Sequence, residues 1–248
     1  MSAIVVIPAR YASTRFPGKP LCLLSGKPLI QHVYERVKEA RLVSSVIVAT
    51  DDRRIYDAVE AFGGEAVMTL VTHQSGTDRI AEVVMNRPEL AGDAVIVNVQ
   101  GDEPLINPGM VDDVIGLMED ERVSIGTLVK RIEDAAEGND PNVVKAVFNS
   151  GGFALYFSRS PIPYHRDFLS ADVPKMFKHI GIYAYTKSSL LSFAQLPQSE
   201  LEKTEKLEQL RALENGLTIK VRETSFETIG VDTPEDLERV EKCLSISL

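Results

Sequence analysis

Three cations, Arg10, Arg15 and Lys19, are spaced along the stretch VIPARYASTRFPGKPL. No acidic residue precedes Glu35, although the chain's formal net charge is -9. Ala9, Ala12, Ser13 and Gly18 are small enough to let a ligand approach the backbone between them. Arginine grips phosphate bidentately and lysine serves as a compact point charge, so this loop reads as a polyphosphate site. A solvated basic loop is the plain alternative. Neither GxGxxG nor GxxxxGK[ST] occurs there, which argues against a dinucleotide oxidoreductase and a P-loop. Two carboxylates complete the set. Asp102 follows an apolar run in Gln100-Gly-Asp-Glu-Pro104, where Gly101 frees the backbone beside it. Asp232 is read as a second strand-end carboxylate, at the junction between Thr228–Val231 and Thr233-Pro-Glu-Asp236. Mg2+ takes one or two protein carboxylates and fills its octahedron with water and substrate phosphates, so both are candidate metal ligands. Asp232 reads equally well as a charge complementing a helix N-terminus, and Glu103, ahead of Pro104, as a residue that turns the chain. Cations and carboxylates together describe a metal-assisted nucleotidyl or phosphoryl transferase of unspecified substrate.

The elements that must position these groups follow from periodicity. Ala3–Ile7, Val46–Ala49 and Ala94–Val99 are nearly continuous in hydrophobicity, as strands covered on both faces are. Helical patterns alternate with them at Pro28–Arg41, Asp52–Phe62, Thr77–Met85 and Pro108–Met118. This rhythm predicts a Rossmann-like α/β fold, an open and mostly parallel twisted sheet flanked by helices, in one domain spanning 1–248. The loop after the first strand then lies at the ligand-binding rim of the sheet. An antiparallel insertion is expected at about 143–186. It contains a hairpin, Val143–Phe148 and Phe153–Phe157 around Asn149-Ser-Gly-Gly152, and a strand at Lys178–Thr186. Beyond it we expect a long helix from Ser199 to Asn215, a strand at Thr218–Arg222 and a final helix opened by a capping box at Thr233.

Composition sets the class. With 248 residues and 44% hydrophobic content, the chain can bury a large core without staples. Cys22 and Cys243 show no paired spacing, which fits reduced thiols in a cytoplasmic protein. The opening apolar run has no basic segment ahead of it and is too short to span a bilayer. A pI near 5.1 argues against nucleic acid as a partner. His32, His73 and His165 form no metal-ligand pattern and receive no role.

Six segments, IPARYASTRFPGKPL, HQSGTDR, VNVQGDEPLI, HIGIYAY, LEQLR and GVDTPEDLE, occur in one order from Ile4 to Glu238. In that order they resemble the 3-deoxy-manno-octulosonate (Kdo) cytidylyltransferases, within the sugar nucleotidyltransferase superfamily. The resemblance implies that CTP and Kdo give CMP-Kdo and pyrophosphate with Mg2+, for lipopolysaccharide biosynthesis, in a cytoplasmic homodimer. It implies that Ala9, Arg10, Ser13, Arg15 and Lys19 hold the triphosphate. Gln74, Ser75 and Gly76 then lie at the cytidine, supported by Asp78 and Arg79, a group that otherwise reads as an ordinary helix cap. Asp102 and Asp232 bind Mg2+, and Gln100 reaches the sugar. Arg159, His179, Tyr183, Glu208 and Gln209 line the sugar pocket, Arg159 because an acidic sugar needs a carboxylate partner. Without the resemblance, His179 reads as a satisfied structural group, and Glu208 and Gln209 as the solvated face of a helix. Arg166, in the unplaced stretch Tyr164–Pro174, is a further candidate for substrate contact. A cytidylyltransferase for another acidic sugar and a non-catalytic nucleotide-binding module remain open on sequence.

Overall fold

The computed structural model describes residues 2–12, 16–166 and 175–246. Ser13 and Arg15 of the basic loop lie outside the described residues. β1 (Ala3–Ala9) leads to a 3-10 turn at Lys19–Leu21, two short strands β2 (Leu23–Leu24) and β3 (Lys27–Pro28), and α1 (Leu29–Lys38). The alternation continues through β4 (Val43–Thr50), α2 (Arg53–Ala61), β5 (Glu65–Met68), α3 (Gly76–Met85), β6 (Val95–Asn98) and α4 (Pro108–Gly116). Next come β7 (Ile125–Arg131), α5 (Ala135–Asn139), β8 (Lys145–Phe148), β9 (Ala154–Ser158) and β10 (Phe177–Thr186). The described chain closes with α6 (Lys187–Gln195), α7 (Glu200–Glu205), α8 (Gln209–Glu214), β11 (Ile219–Glu223) and α9 (Pro234–Ile246).

The main sheet runs β11-β7-β10-β6-β1-β4-β5. Its neighbours pair in parallel except at β10, which is antiparallel to both β6 and β7. Successive β1 residues point into opposite layers: Val5 and Ile7 join one buried cluster and Val6 the other. Both faces of the sheet are therefore covered, which is why its strands read as unbroken apolar runs. Each such buried aliphatic side chain contributes about 1.5–3 kcal/mol through removal of apolar surface from water. The fold is the α/β architecture expected, with one refinement. The strand expected within the antiparallel insertion is an interior strand of the sheet, third in its order, and only the β8–β9 hairpin stands off its path.

Two sequence expectations need correction. The single helix from Ser199 to Asn215 is two helices, α7 and α8, because Lys206 adopts a left-handed conformation at φ 55° and ends α7. Ser199 caps α7 as expected, in a reciprocal box with Glu202. The break lets the Glu205 carboxylate accept from Ser158 Oγ (2.6 Å) and from the Arg159 N–H (3.0 Å), while Leu207 and Leu210 stay buried. Thr228–Val231 is not a strand, so Asp232 is not a strand-end residue. Its segment is held by the Val231 N–H, which donates to the Asp102 carbonyl at 2.8 Å.

Lys145 on β8 is fully buried, and its ammonium donates to three backbone carbonyls, those of Asp140 (2.9 Å), Val143 (2.7 Å) and Arg159 (2.5 Å). Burial lowers its pKa. Three acceptors matched to three donors make it a knot tying the loop before β8 to the end of β9. Lys145→Met should destabilise the protein by about 3 kcal/mol, since the carbonyls lose their partner in a buried site. Urea unfolding measures this, and an unchanged midpoint contradicts it.

Candidate active site

A polar cleft of about 350 Å³ opens at the carboxyl ends of β1 and β6, the rim where open α/β sheets bind ligands. Pro8 is its pivot. A Cβ on Gly76 would meet Pro8 Cγ at 3.1 Å, and one on Gly101 would meet the Pro8 carbonyl at 3.0 Å. Glycine at both positions lets the start of α3 and the turn after β6 close against the end of β1 without displacing Pro8. Gly18 has a different reason for lacking a side chain. Its φ is 73°, a Cβ would stand 3.0 Å from the Tyr11 ring, and its N–H closes the basic loop onto the Tyr11 carbonyl at 2.9 Å.

That closure delivers Lys19 to the carboxylates. Lys19 Nζ lies 2.7 Å from Asp102 Oδ2 and 3.2 Å from Asp232 Oδ1, joining residues 83 and 213 positions apart. Arg10 lines the same cleft with an exposed side chain, and Ala9 lies buried beside it. Asp102 and Asp232 therefore converge on one point, facing the cations of the loop. Among the described residues no group of three or more His, Cys, Asp or Glu side chains could hold a metal. Two convergent carboxylates fit a cation that draws its remaining ligands from phosphates and water, as Mg2+ does.

Glu103 does more than turn the chain. Its Oε2 is buried without a hydrogen-bond partner, and its other oxygen packs against Gly230. Burial first, and then the charge of Asp102, push its pKa up to about 8. The influence of Thr228, which lies in the segment that carries Asp232, acts to lower it. A neutral acid here docks the C-terminal segment without adding a third negative charge.

The opposite wall is the start of α3. Ser75 and Asp78 form a capping box, Asp78 Oδ2 accepting from the Ser75 N–H at 3.2 Å and Ser75 Oγ from the Asp78 N–H at 3.1 Å. Arg79 is buried and donates to Asp51 at 2.8 Å and to Thr69, which fixes α3 to the loop after β4. Gln74 is exposed and donates to the Thr72 carbonyl at 2.9 Å. His73, given no role on sequence, lines this wall with its Nε2 against Glu82. The signal that could have found it is its spacing, since a residue two before an N-cap lies where the chain enters the helix beside the ligand.

A second cleft, of about 320 Å³, adjoins the first and shares Gly76 and Gln100 in its wall. It gathers His179, Tyr183, Glu208 and Gln209. A four-residue step along a regular strand spans about 13 Å, yet the His179 and Tyr183 rings are 5.3 Å apart. The register between β10 and β7 breaks between Ile180 and Tyr183, and this bulge draws the rings together. Thr127 Oγ1 lies 3.0 Å from His179 Nε2. Burial holds the His179 pKa down to about 4, so it is neutral near pH 7. Glu208 accepts from Thr77 Oγ1 (2.6 Å) and Arg211 (2.8 Å), and burial raises its pKa. Gln100 Nε2 donates to Asn98 Oδ1 at 3.1 Å. Arg159 is not brought into this group: its guanidinium donates to the carbonyls of Glu205 (2.8 Å) and Pro141 (2.9 Å). Arg166 is exposed and lies in neither cleft.

A cation loop facing two carboxylates on an open α/β sheet, with a second polar cleft beside it, defines a nucleotidyltransferase class of site. A cytidylyltransferase family model matches residues 4–222. A cytidylyltransferase from Leptospira borgpetersenii serovar Hardjo-bovis shares the fold, with a TM-score of 0.62 at 18% identity, covering 100% of this chain and 89% of that one. Closer relatives narrow the class. The 3-deoxy-manno-octulosonate cytidylyltransferase of Thermodesulfovibrio yellowstonii is 55% identical over 252 residues, covering 99% of both chains. That of Solibacter usitatus is 53% identical, covering 98% of this chain and 94% of its own. A solved CMP:2-keto-3-deoxy-manno-octonic acid synthetase complexed with CTP is 47% identical, covers 100% of both chains and superposes with a TM-score of 0.92. The chain belongs to the cytidylyltransferase family and, within it, to the 3-deoxy-manno-octulosonate cytidylyltransferases.

The state of Glu103 has a measurable consequence. Its folded pKa is raised above its ordinary value of 4.5, so its contribution to stability is full below that value and is lost as pH rises to about 8. The ligand-free wild type should therefore lose more stability across this window than Glu103→Gln, which keeps the neutral shape at every pH. Unfolding free energies measured at several pH values check this, and parallel curves contradict it.

Proposed function

We infer that this chain transfers the cytidylyl group of CTP to 3-deoxy-D-manno-octulosonate, giving CMP-Kdo and pyrophosphate. The observation that carries the reading is the contiguity of the two clefts, which share the wall at Gly76 and Gln100. One ends on the Lys19–Asp102–Asp232 cluster and suits a triphosphate. The other is neutral to acidic and rich in hydrogen-bonding groups, and suits a polyhydroxylated sugar.

In this reading Arg10, Lys19 and Arg15 hold the triphosphate, and Ala9 and Ser13 let it approach the backbone. Gln74, Ser75 and Gly76 bound the cytidine, on a wall stiffened by Asp78 and Arg79. Gln100, His179, Tyr183, Glu208 and Gln209 orient the sugar so that its 2-hydroxyl faces the α-phosphorus in line with the leaving group. There the 2-hydroxyl gives up its proton to water, a new oxygen–phosphorus bond forms, and the bond from the α-phosphorus to the bridging oxygen breaks, so that pyrophosphate leaves with the electron pair. Lys19 and Arg10 offset the charge that grows on it. Arg159, at the end of β9, approaches the sugar carboxylate only if its guanidinium leaves the two carbonyls it now serves. Asp102 and Asp232 hold Mg2+, which when bound neutralises and aligns phosphate oxygens. Among the described residues β9 pairs only with β8, and its other edge, with Leu155 exposed, supports a homodimer. Among the described residues no helix is long and apolar enough to cross a membrane, and a cytoplasmic setting belongs to the same reading.

Pyrophosphate release, measured with each nucleoside triphosphate and with or without Kdo and Mg2+, tests this function. Turnover is expected only with CTP, Kdo and Mg2+ together, and preference for a sialic acid would move the substrate. Asp102→Asn should lower turnover by about a hundred-fold or more with the fold intact. Near-wild-type release from that variant removes Asp102 from the mechanism.

A further inference from the structure

The ammonium of Lys19 stands at the point where the two carboxylates of the site converge. Its side chain is only 12% exposed, while those of Asp102 and Asp232 are 32% and 44% exposed. It is therefore the least exposed member of the cluster, and its ammonium already occupies one oxygen of each carboxylate. An ammonium seeks carboxylate oxygens at about 2.7–2.9 Å, and Mg2+ seeks the same oxygens at about 2.0–2.1 Å. The lone pairs that Lys19 uses on Asp102 Oδ2 and Asp232 Oδ1 are those a metal would need from the cleft.

We propose that Lys19 is an internal stand-in for the divalent cation, competing with it for Asp102 and Asp232 until a triphosphate draws the ammonium away. This deepens the reading of Asp102 and Asp232 as the metal-holding pair and rests on it. The triphosphate does two things at once. Its oxygens give Lys19 new acceptors, and they supply the coordination that two carboxylates leave unfilled. Metal and nucleotide then bind with positive coupling, each favouring the form in which Lys19 has moved. The arrangement has two physical consequences. It offsets one of the two charges of the convergent carboxylates when no ligand is bound, and it hinders the carboxylate pair from taking up free metal ahead of substrate.

Mn2+ titrated into the nucleotide-free full chain, followed by electron paramagnetic resonance, reads this competition directly. Lys19→Met should bind Mn2+ about ten-fold more tightly than the wild type, the worth of two partly exposed ion pairs. Thermal melts should show the same split, with Mg2+ raising the midpoint of Lys19→Met and leaving the wild type unmoved. Equal Mn2+ affinity in the two proteins overturns the proposal. Should Lys19→Met fold only with metal, the competition is supported. Should it not fold at all, the wild type decides: nucleotide-free Mn2+ binding weaker than about 1 mM supports the proposal, and tighter binding contradicts it. Adding Asp102→Asn to Lys19→Met separates the two layers of the argument. Loss of Mn2+ binding in the double variant upholds the metal-holding pair, whereas unchanged binding rejects that pair and the competition with it.

Discussion

The contact of Lys19 with Asp102 and Asp232 is the constraint that the rest of the architecture serves. It joins three segments that are remote in sequence: the loop after β1, the turn after β6 and the entry to α9. Side-chain ion pairs that are partly open to water are too weak to hold such segments together alone. The backbone does that work. Gly18 folds the basic loop back on Tyr11, Gly101 lets the Asp102 turn rest on the Pro8 carbonyl, and the Val231 N–H binds the Asp102 carbonyl. Glu103, uncharged near neutral pH, seals the last of these junctions. The charged groups are thus placed by elements whose stability comes from elsewhere, and remain available for a ligand.

The same principle governs the second cleft. A bulge in β10 brings His179 and Tyr183 within ring contact, and the break at Lys206 separates α8 from α7, with Glu208 at the junction reaching Thr77 at the start of α3. Thr77 lines the second cleft and its neighbour Gly76 lines both, so the two halves of the site are mechanically continuous. A displacement of α8 would be felt at the start of α3.

Much of this was legible in the residues. The apolar runs announced strands buried on both faces, and the cations before Glu35 marked β1's loop as a place for an anion. Asp102 was readable because a carboxylate after a buried strand, beside a glycine, has few structural reasons to be there. Other features depend on long-range geometry that no local pattern carries. The break at Lys206 occurs at a residue with no turn signature, and the helical spacing of Leu207, Leu210 and Leu213 masked it. Nothing in the order of the strands along the chain reveals that β10 lies inside the sheet, between β7 and β6. Glu103 looked like a turn residue because its burial is created by a segment more than a hundred positions later. His73 has no metal-ligand spacing, and its place in the wall depends on its contact with Glu82. Charge alone points to Arg159, whose carbonyl partners are invisible in sequence.

The chemistry assigned to this site is direct displacement. The side chains on the opposite wall that carry nucleophilic atoms have structural partners: Ser75 Oγ accepts from the Asp78 N–H in the α3 capping box, and His73 Nε2 is held against Glu82. The protein then acts by placing two anions in line and by offsetting charge, with no covalent cytidylyl-enzyme. The stereochemical course at phosphorus tests that claim most directly. With CTP made chiral at the α-phosphorus by sulfur substitution, a single in-line step inverts configuration in the CMP-sugar product. Inversion is the predicted result, and net retention would contradict the account by requiring a second displacement on the enzyme.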